Sequence, residues 1–242
     1  MKSKYLQETR EECLNIYNYK NKVEKKTYAI ADLMYLETYL FEDKPEDTLN
    51  KAVDYIKLHS DEKYLKNELF TAQQYVVWSL LTINNNDSIK SDTMAYVLIS
   101  DTNPMIRTAG YYFKARKNKN EMSTYTTLLR LAFSQNNDQL SYMARIELAD
   151  LCNTLGEIEE ENNIIKELID NYHNNINCGF KAGSCIHLYL RLSKNYLELL
   201  DKNNCRKYLD KANYEMKLVA QDQNYYNTNQ DRIINITNLL DK

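Results

Sequence analysis

The chain contains very little glycine and proline. Its 242 residues include 4 Gly and 2 Pro. In globular proteins, glycine averages about 7% of all residues and proline about 5%. Tight β-turns depend on glycine and proline, so the shortage disfavours β-rich and α/β folds. The two nearest glycines, Gly179 and Gly183, follow a predicted helix and not a strand, which gives no phosphate-binding loop. The composition therefore favours helices joined by short polar connections.

Other features are also lacking. The net charge is -3, so no overall positive field attracts nucleic acid or anionic lipid. No stretch approaches the roughly 18 apolar residues of a membrane span, and charged residues interrupt the first 17 positions, where a signal peptide needs an apolar run. The 5 cysteines are odd in number and scattered, unlike those of secreted disulfide scaffolds. We expect a cytoplasmic protein with reduced thiols, without a membrane partner and with nucleic acid disfavoured.

Residues for catalysis are sparse and dispersed. The three histidines, His59, His173 and His187, lie on different predicted helices. No serine or cysteine occupies a recognisable nucleophile turn. We therefore predict no enzyme activity, no catalytic residue and no cofactor.

Apolar residues recur at helical spacing through most of the chain. The pattern predicts about a dozen helices, with Ser3 and Asp43 as N-caps and with the Asn84–Asp87 tract as a loop. Pro104, which can begin a helix but cannot continue one, marks the best candidate for a joint. We expect an irregular helical N-terminal half at 1–103, regular hairpins at 104–242 ending in a capping helix, and one continuous domain overall.

One predicted hairpin has a distinctive order of large and small residues. It reads Tyr189, Leu192, Ser193, Tyr196, Cys205, Leu209 and Ala212. The small residues among these allow two helices to approach closely. This order is similar to the pattern of the tetratricopeptide (TPR) repeat family. The resemblance implies an all-α, right-handed stack of antiparallel helical hairpins, a TPR-like α-solenoid whose concave groove holds a peptide or protein segment.

The preceding hairpin resembles the same pattern less closely. Leu148, Ala149 and Cys152 match it, and Gly156 stands at the turn between helices, where glycine ends a helix well. Glu161 occupies a position at which the family pattern has a small residue, so the packing of this hairpin is expected to depart from the pattern.

A loop before the best hairpin holds four residues of metal-binding type. They are His173, Cys178, Cys185 and His187. Their spacing differs from that of structural zinc sites, and Cys185 and His187 would point in different directions at the start of a helix. The pattern favours a surface loop with buried thiols and no metal, with zinc as the competing hypothesis.

A short basic cluster follows three aromatic residues. Lys114, Arg116, Lys117 and Lys119 lie beside Tyr111, Tyr112 and Phe113. Such a mixture is typical of sites for single-stranded nucleic acid or phosphorylated partners. The negative net charge favours instead a solvated helix end.

The predicted function is that of a non-catalytic adaptor that binds a protein or peptide. The expected groove positions are Tyr112, Arg116, Arg145, Tyr189 and Asn195. One alternative is an intracellular peptide-signal receptor that acts through another protein, since the chain also resembles the helical-repeat portion of bacterial quorum-sensing regulators. An enzyme on a helical scaffold is a further alternative, and a homo-oligomer remains open.

Overall fold

The structure is a computed structural model that describes residues 2–19, 23–135, 138–173, 185–218 and 223–241. Within these ranges the secondary structure is helical and contains no strand, which confirms the all-α class. A short 3-10 helix, Lys63–Leu65, precedes α4. The α-helices of the described ranges are α1 Lys2–Asn18, α2 Lys25–Phe41, α3 Pro45–His59, α4 Lys66–Asn86, α5 Ser88–Ile99, α6 Pro104–Lys117, α7 Met122–Gln135, α8 Gln139–Leu155, α9 Ile158–His173, α10 Ile186–Glu198, α11 Lys202–Leu218 and α12 Gln223–Leu240.

Several helix ends follow local signals in the sequence. Pro104 opens α6, and the Asn103 side chain accepts a hydrogen bond of 2.9 Å from the Met105 amide. Proline suits this first position because its missing N–H would have no helical partner there. Gly156 follows α8 with φ of 75°, a left-handed conformation that favours glycine. The expected positions of Pro104 at the start of a helix and of Gly156 at the end of one are thus confirmed.

Three predicted helix boundaries were wrong. Asp43 does not cap α3: it lies in the preceding turn with φ of 58°, and Lys44 takes the N-cap position. In the predicted loop Asn84–Asp87, the three asparagines belong to α4, which continues to Asn86. Asp87 alone separates the two helices, and it caps α5 by accepting from the Lys90 amide at 2.9 Å. Ser3 is not a cap either, since α1 already includes Lys2.

The helices form two compact units, 1–145 and 146–242, and the division between them lies within α8. In the first unit each of the helices α1 to α6 packs against the next one, and α6 also packs against α4. Helices on both sides of Pro104 therefore belong to one packed unit. The expected halves at 1–103 and 104–242 stay a prediction. Fully buried side chains fill this unit, among them Ile56, Leu80, Ile106, Phe113 and Leu129.

In the second unit, α10 packs against α9, α11 and α12, and α11 packs against α12. The α10–α11 pair has the close approach that its small residues predict. Ser193, Cys205 and Ala212 are all 0% exposed, and the Ser193 hydroxyl donates to the Cys205 carbonyl oxygen at 2.9 Å. Packing of consecutive helices is compatible with a helical repeat. None of the described helices is long and apolar enough to cross a membrane.

Candidate functional site

The second unit contains an open cleft of about 810 Å³. Its walls come from α8, α10 and α12, which are alternate helices in the chain. We call it the α8–α10–α12 cleft. The lining residues are Asp150, Asn153 and Thr154 of α8, His187, Leu190, Arg191, Lys194, Asn195 and Leu197 of α10, and Arg232, Asn235, Ile236 and Leu239 of α12.

The base of the cleft is held by buried contacts of α10. Leu190 is 0% exposed and Asn195 is 1% exposed. The Asn195 amide donates to Asn162 Oδ1 of α9 at 2.9 Å. Because a buried amide that lacks a hydrogen-bond partner is costly, this bond fixes the orientation of Asn195 and ties α10 to α9.

Arg191 is the centre of an ionic network at one wall of the cleft. Its Nε donates to Oε1 of Glu161, whose side chain is 0% exposed. Its terminal nitrogen donates to Asp150 Oδ1 at 2.5 Å, and Asn153 Nδ2 donates to the second Glu161 oxygen at 2.9 Å. The network joins α8, α9 and α10. Glu161, which stands where the repeat pattern has a small residue, is therefore a buried charge whose partners are supplied by the neighbouring helices.

The charge of the lining is predominantly positive. Arg191, Lys194 and Arg232 are basic, whereas Asp150 is the one carboxylate among the lining residues that the structure describes. Asp150 already bonds Arg191, and Lys194 lies 3.5 Å from the exposed carboxylate of Glu198 one turn along α10. Exposed pairs of this second kind are weak and exchange readily. The cleft thus presents cations to a ligand, although the whole chain is negative.

Apolar side chains lie beside these cations. Leu190, Leu197, Ile236 and Leu239 all line the cleft, and Leu239 is 54% exposed. A surface that combines exposed aliphatic groups with a few polar ones is typical of a binding site.

Among the predicted groove residues, Asn195 lines this cleft and Tyr189 does not. Tyr189 is 3% exposed and stacks on Tyr208 of α11 with ring centroids 6.3 Å apart. The Lys211 ammonium lies 5.5 Å from the Tyr189 ring centroid. Burial raises the pKa of Tyr189, which keeps the phenol neutral. Tyr189 consequently belongs to the interface between α10 and α11.

The other three predicted residues belong to the first unit. Tyr112 is buried in α6, and Arg116 is exposed one turn later. Arg145 is half-buried in α8, with its guanidinium 4.9 Å from the ring centroid of Phe133. The phenol ring of Tyr112 is thus part of the packed interior, whereas Arg116 lies on the surface.

The four residues of metal-binding type are only partly described. The side chain of His173 and all of Cys178 lie outside the described residues. Cys185 is 1% exposed at the start of α10, whereas His187 two positions later is exposed. The described part of the chain contains no group of three or more His, Cys, Asp or Glu side chains that could hold a metal ion.

The basic cluster of α6 contacts α5. Lys117 Nζ lies 2.6 Å from Asp92 Oδ2 and donates to the Ser88 hydroxyl at 2.9 Å. The Lys114 ammonium lies 3.7 Å from the centroid of the Tyr96 ring, a cation–π contact. Two of the four cations therefore stabilise the packing of α6 on α5.

Sequence reasoning missed Arg191, Lys194 and Arg232. The sequence contains a signal for Arg191 and Arg232. Together with Asp150, which bonds Arg191, they follow one another at intervals of 41 residues. Even spacing of polar residues is what repeated units facing one cleft produce. Comparison of the chain with protein-family models, with curated proteins and with solved structures returns no match.

Proposed function

We propose that the protein is a non-catalytic adaptor that binds an acidic, partly aliphatic peptide segment in the α8–α10–α12 cleft. The observation that carries the proposal is the cleft itself, which is lined by three cations and four aliphatic side chains, of which Leu239 is exposed. The proposal includes the TPR-like arrangement, a right-handed stack of antiparallel hairpins, because alternate helices line the inner face of such a stack.

The dimensions and chemistry of the cleft suit a peptide. Its volume of about 810 Å³ is within the range of about 300–1,000 Å³ typical of ligand sites. Asn153, Asn195 and Asn235 line it, and carboxamides can both donate to and accept from a peptide backbone. The aliphatic residues would receive apolar side chains, and Lys194 and Arg232 would attract carboxylates. Opposite charges of this kind raise association rates and select among partners.

A library of random linear peptides, displayed on phage and selected on the whole protein, tests the proposal. We expect the selected peptides to be enriched in Asp or Glu next to Leu, Ile or Val. Synthetic versions, measured by fluorescence polarisation, should bind more weakly as salt concentration rises, because exposed charges are screened. Selection of basic or purely apolar peptides would contradict the charge argument.

A charge-reversed variant locates the binding site. Lys194→Glu combined with Arg232→Glu should weaken binding of a selected acidic peptide at least about tenfold. The control is Lys217→Glu, which reverses an exposed charge of α11 that is not part of the lining. Equal loss in both variants would show an effect of net charge alone, and unchanged affinity in the double variant would place the peptide elsewhere.

A further inference from the structure

A second, smaller cavity of about 270 Å³ lies in the first unit among α1, α2 and α3. We call it the N-terminal cavity. Three tyrosines line it, one from each helix: Tyr17, Tyr35 and Tyr55. Two carboxylates, Asp32 and Asp54, line it as well. Aromatic rings combined with carboxylates form the usual surroundings of an organic cation in a protein.

The rings of this cavity already attract a cation. Lys51 also lines the cavity, and its ammonium lies 5.5 Å from the Tyr35 ring centroid and 5.0 Å from that of Tyr39. The Tyr17 and Tyr35 rings meet edge to face, with their centroids 6.0 Å apart. The electron-rich face of an aromatic ring attracts positive charge, so the position of Lys51 shows what these rings favour.

The charged groups around the cavity leave an excess of negative charge. Among the described residues that line the cavity, the carboxylates of Asp32 and Asp54 oppose one lysine, Lys51. The imidazole of His59 lies 3.5 Å from the Asp32 carboxylate. Burial, together with a hydrogen bond to Asp32, raises the pKa of Tyr17, so the phenol stays neutral and its hydroxyl remains a hydrogen-bond donor. Asp32 is thus oriented by its neighbours and is half-buried beside the cavity.

The hydroxyl of Tyr55 has no hydrogen-bond partner among the residues that the structure describes. Tyr55 is 4% exposed, and its oxygen is buried without a hydrogen bond to any of the described residues. Burial raises the pKa of Tyr55, and the carboxylates of Glu68 and Asp32 raise it further. A neutral buried phenol that lines a cavity and makes no hydrogen bond is costly unless a ligand supplies one.

We propose that the N-terminal cavity binds a primary alkylammonium group. Its N–H bonds would be donated to the Asp32 carboxylate and to the Tyr55 hydroxyl oxygen, while its charge lies against the Tyr17 and Tyr35 rings. A quaternary ammonium ion has no N–H to donate and would leave the Tyr55 oxygen without a partner. This site lies in the first unit and does not depend on the peptide cleft of the second. The ammonium group could belong to a free amine or to a lysine side chain.

Calorimetric titration of the whole protein with four small probes tests the proposal. n-Butylammonium should bind. n-Butanol has the same carbon chain without the charge, and tetramethylammonium has the charge without an N–H. Both of these probes should bind at least about tenfold more weakly than n-butylammonium. Equal binding of n-butylammonium and n-butanol would overturn the proposal, as would no binding of n-butylammonium. Tighter binding of Nα-acetyl-lysine methylamide than of n-butylammonium would identify a lysine side chain as the source of the ammonium group. Tighter binding of n-butylammonium would identify a free amine as the source.

Three variants identify the binding groups, with n-butylammonium as the probe. Asp32→Asn should weaken binding about tenfold or more, since it removes the ionic partner. Tyr55→Phe should weaken it severalfold by removing one acceptor. Lys51→Met should strengthen binding at least about threefold, because it removes a like charge a few ångströms away. Asp47→Asn, which removes an exposed carboxylate of α3 outside the cavity lining, should leave the affinity unchanged.

The gain expected for Lys51→Met keeps the test decisive if another variant folds poorly. Thermal unfolding of each variant verifies folding before the titration. An affinity that is the same in the wild type and in Lys51→Met would place the ammonium outside the cavity and overturn the proposal. So would an equal loss in Asp32→Asn and Asp47→Asn, because that pattern reflects the charge of the surface and not this site.

Discussion

Arg191 of α10 donates its Nε hydrogen to a carboxylate oxygen of Glu161 in α9, and the side chain of Glu161 is 0% exposed. Loss of the arginine would leave a buried carboxylate whose remaining partner among the described residues is the Asn153 amide. A buried charge that loses its counter-charge typically destabilises a protein by about 3–5 kcal/mol. Since Arg191 itself is 21% exposed, we expect Arg191→Met to lower the free energy of unfolding by about 3 kcal/mol, the low end of that range.

The double variant separates the ion pair from simple packing. Arg191→Met combined with Glu161→Met replaces both charges with apolar groups and should recover most of the lost stability. Urea unfolding of the single and double variants measures the coupling. Lys194→Met is the matched control, because its exposed pair with Glu198 on the same helix contributes no more than about 0.5 kcal/mol. Additive effects of the two changes would contradict the buried pair.

The α10–α11 hairpin was predictable from sequence because its packing depends on residue size. Cys205 and Ala212 lie two turns apart on α11, Ser193 of α10 bonds Cys205, and all three are fully buried in the structure. Glu161 was not predictable in the same way. Its burial depends on Arg191, which lies 30 residues away. A periodic pattern reports which face of a helix is apolar and does not report a distant partner that neutralises a charge.

Glycine in the middle of α6 shows another limit of sequence reasoning. Intrinsic propensity disfavours Gly110 in a helix, yet the structure places it in α6 against α5. A Cβ added there would lie 3.0 Å from Ile99 Cγ1 and 3.2 Å from the Leu98 Cβ. The close approach explains the glycine. Helix periodicity predicted α5 and α6 correctly, but it could not show which side of α6 touches α5.

The candidate site was less predictable than the fold. The α8–α10–α12 cleft is assembled from three helices that are far apart in the sequence, so its residues share no local motif. Asn195 was predicted as a groove residue and lines this cleft. Tyr189 was also predicted as a groove residue, but its ring packs on Tyr208. Aromatic rings serve both recognition and packing, and composition alone does not distinguish them.

Glu42 provides a prediction about pH. Arg10 Nη1 lies 2.8 Å from one carboxylate oxygen of Glu42, and Lys44 Nζ lies 2.7 Å from the other. The hydrogen bond from Arg10, followed by that from Lys44, lowers the pKa of Glu42 from 4.5 to about 2. Because the folded pKa is depressed, the stabilisation is fully present above about pH 4.5 and is lost as the pH falls toward 2. We expect this loss to contribute to acid unfolding.

Carboxyl resonances followed by NMR during an acid titration measure the effect. The pKa of Glu42 should be about 2 in the wild type and should move toward its ordinary value in Arg10→Met. The stability difference between the wild type and Glu42→Gln should shrink between pH 4.5 and 2. Glu12→Gln, an exposed carboxylate of α1, controls for the change in net charge. A Glu42 pKa that is unchanged in Arg10→Met would show that this guanidinium does not act on it.

Leu200 ends the α10 segment in a strained conformation. Its φ is 59°, in the left-handed region, and it is 87% exposed, so its side chain gains little from packing. The turn is closed by hydrogen bonds from the Leu200 amide to Leu197 and from the Asp201 amide to Tyr196, a geometry that favours glycine. Leu200→Gly should therefore raise the free energy of unfolding by about 0.5–1 kcal/mol, since relief of the strain outweighs the added freedom of the unfolded chain. Leu199→Gly is the control, because Leu199 lies one residue earlier with φ of -79°, and this change should lower the free energy of unfolding. Opposite shifts of the two midpoints of urea unfolding would establish that the backbone angle is the cause. A loss of stability in both variants would contradict this explanation.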